Sequence, residues 1–307
     1  MGLAQRRRLA KFLVIIILSV LLLVSTGCGT QGTDRTTGSS ATWQSGSTST
    51  VGSNAKLTVT FINVGQGDSI LVQAPSGKTL LVDGGPKDAE SALLSALASK
   101  GVKRLDNVIA THEDADHIGS LDAAIKAYPV GKVYLPKMPT KGTKAMEDFL
   151  QAVKGKGISL TPAKAGVNVD LGSEVSALML APVKASYEEE NNYSAVLKVN
   201  FGKVSFLLTG DAEGHSEQDM INSGADLKST VLKVGHHGSR YSTGEAFLDA
   251  VSPQYAVIQV GHNNYGHPTS QVLNRLAAHG VKVYRTDRQG TITAVSDGKT
   301  VTFSTEK

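Results

Sequence analysis

The segment His112-x-Asp114-x-Asp116-His117 brings together two histidines and two aspartates, which are residue types that bind metal ions and transfer protons. It follows the apolar run 108–110, so a strand ending there would deliver all four side chains into one small volume. Buried charges must be paired or coordinated, which favours a cation among them over an ordinary polar loop after a strand. We interpret the segment as half of a two-metal hydrolytic site.

A further candidate ligand is Asp211, which follows the apolar run 204–208 in a Gly-Asp pair. One carboxylate can bridge two cations through its two oxygens, so a lone aspartate at a strand end suits that role. The alternative is an ordinary helix N-cap. The first interpretation makes Asp211 the ligand that two metal subsites share.

Two adjacent imidazoles, His236 and His237, stand in the sharp turn between Gly235 and Ser239. Adjacent side chains usually point apart, so we expect only one of them to be a metal ligand, and we favour His236. The other would contact the leaving group or a phosphate oxygen.

Polar groups recur directly after predicted strands, at Asp83, His112, Asp211 and His236. Loops at the carboxyl ends of strands converge on one edge of a sheet, where sheet-based sites lie. The strand and helix pattern of residues 56–307 predicts one α/β domain, because about 250 residues are enough for a single large core.

The first 28 residues have the order of an export signal. Basic residues at positions 6–11 precede an apolar run at 12–24, and Ser25-Thr26-Gly27-Cys28 follows. This predicts a signal peptide over 1–28 with a lipoprotein-type cleavage site and a lipidated Cys28. The alternatives are ordinary cleavage nearby with secretion, or an uncleaved anchor, for which thirteen apolar residues is short.

Residues 29–55 are dominated by Gly, Ser and Thr, which predicts a flexible tether. The domain would then be exported and held at the outer face of the cell membrane by its lipid anchor. The single cysteine excludes an internal disulfide, so stability must come from the core and from bound metal.

The net charge of +4 overstates the basicity of the mature protein. Four of the 31 basic residues lie in the signal, which has no acid, so 27 basic residues face 27 acidic ones. Attraction to nucleic acid must therefore be local. Eight lysines between Lys126 and Lys164, with Tyr128, Tyr134 and Phe149 among them, could form a strip for single-stranded DNA; the alternative is an ordinary solvated face.

The motifs together resemble the metallo-β-lactamase fold, and more closely the hydrolase domain of ComEC-type competence proteins. The matching stretches are Val64–Ser69, Leu81–Gly85, His112–Gly119, Leu208–Asp211, Leu232–Ser239, Asn264–Pro268 and Arg285–Asp287. They occur in family order across nearly all of 56–295. The resemblance implies an α/β fold of the αββα sandwich type with the site on one edge.

The resemblance covers the hydrolase module only. Full-length competence proteins also carry membrane-channel helices, which this chain lacks, so a transport role does not carry over. Oligomeric state stays open, and no organic cofactor is expected.

The ligand set bears on the identity of the metal. Typical metallo-β-lactamases have His where Asp114 stands, and another His between the first motif and the bridging Asp. No histidine occurs between His117 and Asp211 in this chain. One subsite would have His112, Asp114 and Asp211, completed by Asn192, Ser194 or water. This oxygen-rich set makes manganese as suitable as zinc for the two divalent ions.

The resemblance implies phosphodiester hydrolysis by a two-metal hydroxide mechanism. Asp116 or Asp114 would orient the water, and His237, His267 or Lys233 would protonate the leaving oxygen or neutralise phosphate charge. A structural turn is the alternative for His267.

The metal ligands come from His112, Asp114, Asp116, His117, Asp211, His236 and His237, and the residues expected to contact substrate are Asn192, Ser194, Ser239 and Asn264. Asp83 is expected to support a ligand, and Asp68 to form a turn or to give nearby support outside the core set of site residues.

Three functions compete. The first is an exported nuclease or phosphodiesterase. The second is another hydrolase of this fold, acting on a phosphocholine ester or a lactam, although the missing histidine disfavours the lactam. The third is a metal-bound, non-catalytic DNA-binding module at the cell surface, which would need no bridging carboxylate.

Overall fold

The computed structural model describes residues 55–307. The predicted signal with Cys28 and almost all of the predicted tether lie outside the described residues. The strands are β1 (Leu57–Phe61), β2 (Ile70–Gln73), β3 (Thr79–Val82), β4 (Leu105–Ile109), β5 (Val130–Pro136), β6 (Leu160–Ala163), β7 (Val175–Ala181), β8 (Val196–Phe201), β9 (Val204–Leu208), β10 (Val231–Lys233), β11 (Tyr255–Ile258), β12 (Lys282–Arg285), β13 (Ile292–Ser296) and β14 (Val301–Thr305).

The helices are α1 (Glu90–Ser99), α2 (Ala115–Ile118), α3 (Leu121–Ala127), α4 (Lys144–Gly155), α5 (Gly214–Asn222), α6 (Glu245–Val251), α7 (Ser270–Ala278) and α8 (Thr286–Gln289). Within residues 55–307, none of them has the length and apolar character that crossing a bilayer requires.

The strands form two sheets, one of eight strands in the order β14-β13-β1-β2-β3-β4-β5-β6 and one of six in the order β12-β11-β10-β9-β8-β7. In the first sheet β3 to β6 run parallel, and in the second β9 to β12 do. The carboxyl ends of parallel strands share an edge of their sheet, so the loops after them are brought together.

Three apolar layers hold the molecule together. The central one lies between the sheets, where alternate residues of β1, such as Val59 and Phe61, meet β8 residues such as Val199. The second packs one face of α1, with Leu93 and Leu97 four residues apart, against the first sheet. The third packs α5, α6 and α7 against the second sheet. This is the αββα sandwich that the sequence predicts.

The two sheets are joined beside the loops that carry the candidate ligands. Ala195 N donates to Thr111 O at 2.9 Å, directly before His112. The buried side-chain amide of Gln259 donates to the carbonyl oxygens of Ile62 and Ser69 at 3.0 and 2.9 Å. These bonds hold ligand-bearing loops of both sheets at a fixed separation.

Candidate metal centre

The loop after β4 and the helix α2 that follows it place His112 and His117 side by side, both fully buried, with ring centroids 4.2 Å apart. Asp211, at the end of β9, faces two imidazoles with its two oxygens. Oδ1 lies 3.2 Å from His117 Nε2, and Oδ2 lies 3.3 Å from His237 Nε2. One carboxylate thus lies between two groups of ligands, as a bridging role requires.

Two overlapping groups of potential ligand atoms, each within 4.8 Å of one another, lie at this centre: His112, His117 and Asp211, and Asp116, His117 and His237. Among residues 55–307, a third group, Asp68, Asp83 and His117, shares His117 with them, and a fourth, Glu245, Asp249 and His279, shares no residue with them. Asp114 joins the first group, because its Oδ2 lies 3.5 Å from His112 Nε2. The aspartates Asp114 and Asp116 keep about a third of their side-chain surface exposed and therefore border the opening.

These donor atoms fit a divalent cation. The Nε2 atoms of His112, His117 and His237 and Oδ1 of Asp211 are buried, and none has a hydrogen-bond partner among the described residues. Unpaired buried polar atoms are costly, and coordination by a cation would satisfy all four together. A donor set of imidazole and carboxylate suits zinc and manganese alike.

The geometry reverses the preference for His236 over His237. His237 is buried and its Nε2 lies 3.2 Å from Asp116 Oδ2, whereas His236 Nε2 is 3.7 Å from Asp211 Oδ2 and belongs to neither ligand group. The reason is backbone geometry, since both residues adopt left-handed conformations, with φ of 46° and 53°. The chain then turns so sharply that the second imidazole, not the first, enters the centre.

The ligand histidines are oriented by groups behind them. Asp83 Oδ2 lies 2.8 Å from His117 Nδ1, and Thr111 donates to both oxygens of Asp83. His237 Nδ1 donates to the carbonyl oxygen of Gln259 at 2.9 Å. Such bonds fix the ring and direct Nε2 to the metal. Asp83 thus lies where the sequence expects a supporting residue.

Behind the centre lies a fully buried ion pair that sequence reasoning missed. Lys233 Nζ is 2.7 Å from Asp68 Oδ2, with side-chain exposures of 0% and 1%. Nζ also donates to the carbonyl oxygen of Val234 at 2.8 Å. Burial alone would raise the pKa of Asp68, but the charge of Lys233 together with the neighbouring His237 and His117 outweighs it and the pKa is lowered. The Gly-Asp pair Gly67-Asp68, which resembles Gly210-Asp211, is the sequence signal that could have drawn attention to this ion pair.

Lys233 therefore lies away from the opening, with its ammonium enclosed by protein oxygens. This position favours support of Asp68 over the proton-donor role that the sequence suggests. Asp68 in turn adjoins His237, with 3.4 Å between its Oδ1 and Nδ1. The loop that carries Asp68 also passes close to the backbone of Asp116. Only a glycine fits at position 67, because a Cβ there would meet the carbonyl oxygen of Asp116 at 2.2 Å.

The residues predicted to contact substrate have structural partners. Asn192 Oδ1 accepts from Ser216 N at 2.9 Å, and Ser194 Oγ accepts from the backbone N–H of Asp211 at 3.2 Å. Ser239 Oγ is buried and accepts from Tyr241 N at 3.3 Å. Of the four residues, only Asn264 is exposed.

His236 and His267 lie at the rim of the centre, with ring centroids 5.3 Å apart. His236 Nδ1 is 2.8 Å from Glu213 Oε1 and 3.2 Å from Asn191 Nδ2, neither of which the sequence singled out. Burial, aided by the charges of His236 and His237, lowers the pKa of His267 to about 4. His267 is therefore a neutral ring at physiological pH.

The lysine strip does not carry the aromatic groups expected of it. Tyr134 is 2% exposed and Phe149 is fully buried, each packed in an apolar layer. Only Tyr128 is partly accessible. The spacing of Met146, Phe149 and Val153 on α4 places them on one helix face, which explains the burial of Phe149. Lys141 does reach the centre, with Nζ 3.3 Å from Asp114 Oδ1.

Metal binding is expected to strengthen as pH rises. Burial lowers the pKa of His117 and His237, but the charge of Asp211 together with the other neighbouring carboxylates, Asp83 for His117 and Asp116 and Asp68 for His237, outweighs it, and the pKa of each lies well above 6.5. Below those raised pKa values both rings carry protons that a metal must displace, so affinity should fall as pH drops.

Competition with a fluorescent chelator between about pH 6 and about pH 9 measures this dependence. The slope should report the release of more than one proton per chain at the acid end. An affinity independent of pH over that range would contradict direct coordination by these imidazoles.

The chain belongs to the metallo-β-lactamase superfamily, whose family model matches residues 62–262. It is 37% identical over 264 residues to ComE operon protein 3 of Bacillus subtilis (strain 168), covering 80% of this chain and 34% of that protein. It is 34% identical over 236 residues to competence protein ComA of Neisseria gonorrhoeae, covering 76% and 31%. The chain thus spans about a third of the length of these relatives.

Among solved structures, CmlA, a diiron beta-hydroxylase from Streptomyces venezuelae, shares the fold with a TM-score of 0.52. Identity is 14%, over 77% of this chain and 53% of that one, so this likeness concerns the fold alone. The predicted membership and resemblance to competence proteins are confirmed. The chain therefore has the metallo-β-lactamase fold, with a candidate divalent-metal centre.

Proposed function

We propose that the chain is an exported phosphodiesterase that cleaves DNA with two divalent ions, manganese or zinc. The observation that carries the proposal is the position of Asp211, whose two oxygens face two imidazoles of overlapping ligand groups. Such a site suits in-line displacement at phosphorus, and similarity to competence proteins favours DNA as substrate.

The donor set supports manganese beside zinc. Three carboxylates, Asp114, Asp116 and Asp211, stand with three imidazoles, which is richer in oxygen than a purely histidine site. When bound, two divalent ions would supply a water-derived nucleophile at neutral pH and neutralise charge on the phosphoryl group.

The chain's own residues would divide the remaining work. Asp116 and Asp114 border the opening and would orient the attacking water. His236, held at Nδ1 by Glu213, directs Nε2 towards the centre and would donate a proton to the leaving oxygen from that atom. Lys141, beside Asp114, would attract the phosphate backbone.

The glutamates at the opening each lie beside a basic side chain. Glu190 pairs with Lys141, Glu189 lies 3.1 Å from His215 Nδ1, and Glu213 holds His236. The local field therefore tolerates a polyanion, with Lys141 on one side of the centre.

The proposal includes the cellular location of the protein. The order of basic residues, apolar run and Cys28 supports export and lipid anchoring at the outer face of the membrane, or secretion without the anchor. Cell fractionation of the wild type beside Cys28→Ser tests it, since the variant should leave the membrane fraction.

The test of activity uses the purified full chain with labelled single- and double-stranded DNA, a choline phosphoester and a chromogenic lactam. Zinc, manganese and magnesium are supplied in turn. We expect DNA cleavage in manganese or zinc, and His112→Ala should reduce it by roughly a thousandfold, which corresponds to about 4 kcal/mol of transition-state stabilisation.

His279→Ala is the matched control, because His279, directly after α7, pairs with Asp249 and belongs to neither of the two ligand groups at the centre. It should retain wild-type cleavage. Turnover of the choline ester or lactam without DNA cleavage would replace the proposal with the second function. DNA that is retained but stays intact would support a binding module.

A further inference from the structure

Two tyrosines are far more exposed than any other large apolar side chain in residues 55–307. Tyr241 is 61% exposed and Tyr265 is 76% exposed, whereas Leu150, Leu160 and Val183 lie at 38–39%. Leaving an aromatic face in water costs free energy that burial elsewhere would recover. Exposed aromatic rings on loops that surround a candidate site are therefore candidates for ligand contact.

Both loops hold their tyrosine in place. Asn263 Oδ1 accepts from Tyr265 N at 3.1 Å and His267 N at 3.0 Å, while its Nδ2 donates to His267 O at 2.9 Å. The backbone carbonyl of Tyr241 accepts from Gly214 N at 3.1 Å. A side chain presented by a fixed loop binds with a smaller loss of entropy.

The loops are also tied to each other and to the metal centre. Thr269 donates to Gly238 O through its backbone N–H at 2.9 Å, and a Cβ on Gly238 would meet Pro268 Cβ at 2.5 Å. Successive ring centroids lie 6.0 Å apart from His237 to His236, 5.3 Å to His267 and 5.8 Å to Tyr265. Tyr265 is thus the outer end of an aromatic series that begins at a candidate ligand.

A cation accompanies the other tyrosine. The guanidinium carbon of Arg240 lies 5.0 Å from the Tyr241 ring centroid, and Arg240 donates to the Tyr241 hydroxyl at 3.0 Å. An aromatic ring with an adjacent guanidinium can bind a base by stacking and its phosphate by charge.

We infer that Tyr241, Tyr265 and Arg240 form a base-stacking rim that binds unpaired nucleotides of a DNA strand entering the metal centre. The inference rests on the proposed function and narrows its substrate to single-stranded DNA or frayed ends. In a duplex the base faces are already stacked on each other, so the tyrosines cannot reach them. Contacts with bases would thus come from this rim and not from Tyr134 and Phe149, which are buried.

The test compares an intact oligonucleotide with an abasic strand of equal length and charge, and with the corresponding duplex. Binding to the full chain is measured by fluorescence anisotropy in a chelator, at one salt concentration, so that no cleavage occurs. We expect wild type to bind the intact strand about tenfold more tightly than the abasic strand. The Tyr241→Ala/Tyr265→Ala double variant should lose most of that preference.

Two further variants separate stacking from structural damage. Tyr241→Phe/Tyr265→Phe keeps both ring faces and should keep the preference for bases. Leu150→Ala, which removes another exposed apolar side chain on α4, should behave as wild type. Equal affinity of wild type for intact and abasic strands, or an alanine double variant with an undiminished preference, would overturn the inference.

Failure of the proposed function gives a different result. If wild type cleaves neither strand in manganese or zinc but still prefers intact strands through the tyrosines, the rim stands and the nuclease proposal falls. If it cleaves both strands equally with no dependence on the tyrosines, the nuclease proposal stands and the rim falls.

Discussion

Asp211→Asn is expected to lower kcat/KM for the proposed DNA cleavage by roughly a thousandfold and to reduce bound metal below the proposed two ions per chain. The amide has nearly the same shape, so packing should be retained. It cannot supply two anionic oxygens, however, and those oxygens lie 3.2 and 3.3 Å from His117 and His237. The change therefore removes the group between the two subsites.

Elemental analysis and initial rates on a labelled strand measure the two effects, and circular dichroism checks the fold. Asp170→Asn, which changes an exposed aspartate that pairs with Lys78 and belongs to no group of potential ligands, is the matched control and should change neither. An Asp211→Asn enzyme with full metal content and near-wild-type rates would show that the carboxylate does not bridge.

Lys233→Met is expected to lower the free energy of unfolding by about 3–5 kcal/mol. The substitution fills similar volume but leaves the carboxylate of Asp68 buried without its counter-charge. Asp68 borders His237, so metal affinity should fall together with stability. Urea unfolding with and without added metal measures both consequences.

Two companion variants identify the cause. Asp68→Asn/Lys233→Met removes both charges and should recover much of the lost stability, because no uncompensated ion remains. Lys78→Met breaks the exposed pair with Asp170 and should cost about 0–1 kcal/mol. A Lys233→Met protein as stable as Lys78→Met would refute the structural role of the buried pair.

Much of the candidate site could be predicted from the sequence, because its polar residues directly follow apolar strands. His112 to His117 are contiguous and follow the buried strand β4, so their convergence needs only one loop. Asp211 is recognisable because it ends the apolar strand β9. The choice between His236 and His237 was not readable, since it depends on two left-handed backbone conformations and on Gln259 from the next strand.

Long-range burial explains the other differences. Asp68 lies in the loop before β2 of the first sheet and Lys233 ends β10 of the second, and nothing local marks them as partners until the two sheets pack together. The lysine strip suggested aromatic contacts at Tyr134 and Phe149, whereas the accessible rings are Tyr241 and Tyr265.

The sequence alone pointed to the candidate ligand types, the αββα sandwich and membership of the superfamily, because each depends on motifs of residues close together along the chain. Only the tertiary structure decided which imidazole enters the centre, which lysine is buried as a counter-ion and which aromatic rings face solvent. Those outcomes depend on distances between segments far apart in sequence, and such distances are set by how the two sheets and their helices pack.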